Sequence, residues 1–85
     1  MEGRIYAINP QERIVAIETE LHGFTIVELQ GPFDVKVGDE VQWDSDLELG
    51  LQPFVNLGTR KSMDVLIRSH MVSRSSVRLF MGVLP

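Results

Sequence analysis

The sequence predicts an all-β fold, a small barrel or sandwich of short strands that ends in a helical tail. Three observations point there. Apolar and polar residues alternate along several short runs, the period of extended chain with one covered face. Turn-forming pairs such as Asn9-Pro10, Gly31-Pro32 and Gly38-Asp39 separate those runs. Only the last stretch changes period, with Val77, Phe80, Met81 and Leu84 at helical spacing.

The first strand is read over Gly3 to Ile8, with Ile5 and Ala7 on one face and Arg4, Tyr6 and Ile8 on the other. Asn9-Pro10-Gln11-Glu12 is a turn, because Asn tolerates turn geometry and Pro presets φ. Arg13 to Thr19 and Phe24 to Leu29 follow as strands apolar on both faces, with Phe24 and Ile26 opposing Val27 and Leu29. Glu20-Leu21-His22-Gly23 joins them at hairpin length, which makes a three-stranded meander. In the fourth segment Val35, Val37, Val41 and Trp43 share one side, interrupted by Gly38-Asp39. Asp44 to Gln52 reads as an acidic surface loop, and Pro53 to Leu57 as a short fifth strand that begins at an edge. Met63, Val65 and Ile67 alternate with Asp64, Leu66 and Arg68 as a further strand, and Ser73 offers a helix N-cap.

A chain of 85 residues buries one modest core and no deep substrate cavity. With no cysteine there is no disulfide framework, thiol nucleophile or thiolate metal site. No apolar run approaches the roughly 20 residues of a membrane span, and Met1-Glu2-Gly3-Arg4 is not the start of a signal peptide, so a soluble cytoplasmic protein is expected. The formal charge of −4 divides unevenly. Residues 1–58 are strongly acidic, whereas residues 59–85 carry Arg60, Lys61, Arg68, Arg74 and Arg78 against the single acid Asp64. Such a tail either neutralises the acidic body or meets an anionic partner. Two parts are expected: a barrel over 1–58, and a basic strand-helix extension over 59–85 packed on the barrel or on a second copy.

Residues 3–57 carry a family resemblance. Gly3-Arg4-Ile5-Tyr6-Ala7-Ile8-Asn9-Pro10 resembles the first strand and turn of cold-shock domains, which read Gly-x-Val-Lys-aromatic-Phe-Asn. Ile14-Val15-Ala16-Ile17 lies where that family has Phe-Gly-Phe-Ile, and Phe24-Thr25-Ile26-Val27-Glu28 where it has Val-Phe-Val-His-Phe. Val37-Gly38-Asp39-Glu40-Val41-Gln42-Trp43 and Pro53-Phe54-Val55-Asn56-Leu57 are similar to its last two strands. The resemblance implies a five-stranded OB-like barrel, to which the tail adds an extra strand and a short helix.

The same resemblance locates what is absent. Cold-shock domains stack bases on aromatics of strands one to three, contacts of about 1–3 kcal/mol each. The matching positions here are Ala7, Ile8, Ile14, Ala16, Thr25 and Glu28, with Val27 at the family's histidine. None of these stacks a base. The face is small and apolar instead, and such a patch invites cover. The tail, through Val77, Phe80, Met81 and Leu84, is therefore expected over Ala7, Ile14, Ala16 and Val27, either of its own barrel or of a second copy.

No catalytic constellation is expected. His22 and His70 sit in separate segments without an i, i+4 partner, and read as a solvated turn residue and a strand-end polar residue. Asp44-Ser45-Asp46-Leu47-Glu48 lacks the continuation of a calcium loop. Ser73, Ser75 and Ser76 beside Arg74 and Arg78 read as an ordinary cap. The expectation is a non-enzymatic binding or accessory module with no cofactor or metal, whose partner is a protein or a second copy. The competing expectation is a nucleic-acid binder using Arg60, Lys61, Arg68, Arg74 and Arg78.

Overall fold

The computed structural model describes residues 1–20, 23–31, 35–44 and 49–81. Strands β1 (Glu2–Asn9), β2 (Ile14–Thr19) and β3 (Phe24–Leu29) form the antiparallel meander. Asn9 shapes the first turn. Its Oδ1 accepts from the amides of Gln11 (3.2 Å) and Glu12 (3.3 Å), an Asx turn. At the start of β3, Gly23 has φ 69° and its backbone lies against β6, so that a Cβ would stand 2.8 Å from the Val72 carbonyl. Only glycine fits there.

β4 (Glu40–Gln42), β5 (Gly50–Asn56) and β6 (Ser62–Val72) complete a closed barrel in the order β1-β2-β3-β6-β5-β4, with β4 returning to β1. Helix α1 (Arg74–Met81) follows. The all-β barrel with one short C-terminal helix thus matches the expected class, but it has six strands rather than five. β6 is a wall strand: it pairs with β3 on one side and β5 on the other, so residues 62–72 close the barrel.

β5 starts at Gly50, within the stretch read as a loop, because β6 is long enough to pair with it from Ile67 to Ser62. The Asn56 amide donates to Lys61 O and the Leu57 amide to Glu40 O. Even-numbered residues of β5 therefore bond towards β6 and odd-numbered ones towards β4. Pro53 withholds its donor on the β4 side, and the β4–β5 ladder stops beside it at Gln42–Val55. Asn56 repeats the device of Asn9. Its Oδ1 accepts from Gly58 (2.9 Å) and Thr59 (3.3 Å), while its Nδ2 donates to Asp39 Oδ2 at 3.0 Å and pins the Gly38-Asp39 turn. The turn stays tied to β1, the Ile5 amide donating to Asp39 O and the Gly38 amide to Ile5 O, but it breaks the alternation, and Val37 is 63% exposed rather than facing inward with Val41 and Trp43.

Two apolar clusters result. The inner one joins Ile5, Val15, Ile17, Val27, Leu29, Val41, Trp43, Phe54, Val65 and Ile67. Trp43 stacks on Phe54 with centroids 4.7 Å apart, while its buried Nε1 has no hydrogen-bond partner among the described residues. A void of about 10 Å³ beside Ile5, Val27 and Phe54 is at the lower limit for one water, so the inside of the barrel is filled. The outer cluster joins Ile14, Ala16, Phe24, Ile26, Val72, Val77 and Met81.

Two facings differ from the simple alternation. A register shift between Ile5 and Ala7 places a bulge at Tyr6, so Ile5 points into the barrel and Ala7 out of it. Ile8 consequently packs on the inner cluster. If β6 is an integral wall strand, Ile67→Ala removes about 2–5 kcal/mol of unfolding free energy in a urea titration and lowers protection of β3 and β5 together.

Candidate functional site

The outer face of β1–β3 is the one surface on which sequence-level expectation and structure both converge. Its floor is small. Ala16 pairs directly with Ile26 across β2 and β3, and both are wholly buried although they face away from the barrel interior. The Ala side chains leave room for a helix to come close.

α1 occupies that room. The Ser76 amide donates to Ser73 Oγ at 3.3 Å and to Ser73 O at 3.0 Å, so Ser73 caps the first turn. Val77 and Met81, one turn apart, are buried in the outer cluster. The far end is tied by Asn9, whose Nδ2 donates to the Met81 carbonyl at 2.5 Å and satisfies a group that the last turn of a helix leaves open. One buried side chain therefore serves both the β1–β2 turn and the helix end.

The near end is held by Arg74. Its guanidinium lies 5.4 Å from the Tyr6 ring centre and 5.2 Å from that of Phe24, and Nη2 reaches Glu18 Oε2 at 3.0 Å. Tyr6 in turn meets Phe24 edge to face at 5.0 Å. The bulge that turns Ala7 outward also presents Tyr6 to this cluster.

Of the expected face, Ala7, Ile14, Ala16, Val77 and Met81 come together. Val27 does not. It pairs with Val15, and directly paired residues share a face, so Val27 points into the barrel and Phe24 and Ile26 take the outer positions. Phe80 is 37% exposed and outside the cluster, because Val77 and Met81 define the buried stripe. Leu84 and His22 lie outside the described residues.

The basic residues are distributed over the β5–β6 turn (Arg60, Lys61), β6 (Arg68) and α1 (Arg74, Arg78). Arg68 pairs with Glu28 at 3.2 Å, as Arg74 does with Glu18. His70 shares a 2.9 Å hydrogen bond with Thr25 Oγ1 at the β3–β6 irregularity. Among the described residues no three His, Cys, Asp or Glu side chains converge. The Arg74–Tyr6–Phe24–Glu18 cluster and the Asn9 tether escaped sequence reading, because each joins residues far apart in the chain.

A covered face of this kind is dry and apolar, able to hold a helix but not an anion or a polar substrate. Among the described residues no helix is long and apolar enough to cross a membrane. Comparison with protein-family models, curated proteins and solved structures found no match. Fold and site together define an all-β barrel whose β1–β3 face is closed by its own C-terminal helix.

The two ends of the helix differ in strength. Met81→Ala is expected to cost about 2–5 kcal/mol in chemical denaturation, and Asn9→Ala about 1–3 kcal/mol through the unsatisfied partners it leaves. Arg74→Ala, at a largely solvated site, is expected to cost at most about 1 kcal/mol.

Proposed function

We propose that this chain is a small non-catalytic binding module on an OB-like barrel, acting through protein contact or self-association. One observation carries the reading: Val77 and Met81 of α1 are buried on Ala16 and Ile26. On the resemblance to cold-shock domains, that is the face through which single strands would be held. Here the chain's own helix occupies it, and the aromatics at its margin, Tyr6 and Phe24, are engaged with each other and with Arg74 of that helix. The electrostatics agree with this reading. Arg68 and Arg74 are neutralised locally by Glu28 and Glu18, so the basic tail offers a weaker phosphate-binding surface than its composition suggests. Exposed apolar side chains remain on the barrel, such as Leu51 and Met71, and on the outer side of α1, where Leu79 is 83% exposed, and such surface suits a protein partner.

The full-length protein, titrated into labelled single strands and duplex at low salt, is expected to give no saturable signal. Partners captured from the native cell are expected to persist after nuclease treatment. Saturable binding that falls steeply with added salt would instead support phosphate recognition by Arg60, Lys61 and Arg78.

A further inference from the structure

The last residues of β6 turn the chain back onto its own barrel by a strained step. Between the Phe24–Val72 and Ile26–Ser69 pairs, Thr25 of β3 alone stands opposite His70 and Met71 of β6, a bulge. Met71 takes φ 58° there, a left-handed backbone that costs any residue with a Cβ, and its exposed side chain adds no core packing in return. Val72 then enters the outer cluster, and Ser73 by itself separates β6 from α1. The helix has 8 residues and no acid in its first turn, short of the about 12–15 residues that sustain a helix alone in water. Its order comes from docking: Val77 and Met81 in the outer cluster, Asn9 on the last carbonyl, and Arg74 on Glu18.

We propose that two copies of the chain exchange α1, each helix closing the β1–β3 face of the other about a two-fold axis. The occupant of that face is already identified, because the segment seated on it belongs to every copy. The contacts that dock α1 join it to Asn9, Ala16, Glu18 and Ile26, all on the far side of the hinge. Each is therefore reproduced when the helix comes from a partner. The inner core is untouched, since no residue of α1 belongs to it. What differs is the hinge. When β6 runs on without the bulge, Met71 returns to strand geometry and the helix leaves its own barrel. Relief of the closed turn favours exchange, and the freedom lost in pairing two chains opposes it. A one-residue connection sharpens the contest, because it gives the closed turn no slack. This proposal rests on the self-association arm of the function proposed above and names the segment and the face that carry it.

Sedimentation velocity of the full chain, equilibrated from micromolar to millimolar concentration, is expected to show a dimer that returns to monomer slowly on dilution, because α1 must first undock. Charge reversal separates exchange from any other contact. Glu18→Arg sets two cations together within one chain and Arg74→Glu two anions, both at solvated positions that leave the fold intact. Exchange of helices between these two variants restores opposite charges at both sites. The mixed dimer is therefore expected to exceed either self-dimer several-fold. Met71→Gly, which accepts the left-handed backbone without strain, is expected to shift the parent towards monomer by about tenfold. A chain that stays monomeric at millimolar concentration overturns the proposal. So does a dimer that neither gains from mixing the two charge variants nor weakens with Met71→Gly. If a monomeric chain still captures a nuclease-resistant partner, helix exchange falls while the binding-module reading stands.

Discussion

Ala16 and Ile26 are paired across β2 and β3, wholly buried, and turned away from the barrel interior. Two strands apolar on both faces cannot stand at the surface of a barrel without a second cover. That requirement shapes much of the molecule. It calls for a helix after β6, with Val77 and Met81 one turn apart, and for a small residue beneath them. It also explains why a single wall of the barrel joins two apolar clusters, one inside and one outside.

The devices that meet this requirement are local in form and distant in effect. A one-residue bulge at Tyr6 moves Ala7 outward under the helix while Ile5 stays in the inner core. The same bulge presents Tyr6 to Arg74, and Arg74 joins the start of α1 to Glu18 on β2. Asn9 closes the β1–β2 turn and holds the last carbonyl of the helix. Asn56 does the corresponding work at the opposite side, bracing the β5–β6 turn against Asp39. Each buried asparagine uses both ends of its amide, which is how a buried polar side chain avoids a desolvation penalty. Among the described residues Trp43 Nε1 has no such partner, and stacking on Phe54 together with apolar burial favours its place in the core.

Covering one face redistributes what the surface can do. The helix-covered wall is dry, and two of the tail's basic groups are matched by acids of the barrel. Leu51 of β5 remains exposed, ahead of a proline that stops the β4–β5 ladder. Pro53 limits the edge as a template for further strands, so contact through side chains is favoured over strand addition there. The exposed apolar surface that remains is therefore on the side walls of the barrel and the outer side of α1.

Much of the secondary structure was legible in the residues themselves. Alternation marked β1 and β6, short runs apolar on both faces marked β2 and β3, Asn9-Pro10 and Gly38-Asp39 marked turns, and Ser73 with Val77 and Met81 four residues apart marked a capped amphipathic helix. These are short-range properties, decided by φ preferences and by side-chain period. The facing of each strand was not legible, because a single bulge or a one-residue change of register exchanges inside for outside. Parity set Phe24 and Ile26 against Val27 and Leu29 as the structure has them, but the cold-shock resemblance put Val27 on the outer face, which its pairing with Val15 reverses, and parity joined Ala7 to Ile5, from which the bulge separates it. Barrel closure by β6 and the early start of β5 were likewise decided by pairing between distant segments. The sequence determined by itself which stretches extend, turn and coil. Tertiary structure alone decided which faces meet, since a strand acquires an inside only when its neighbours are in place.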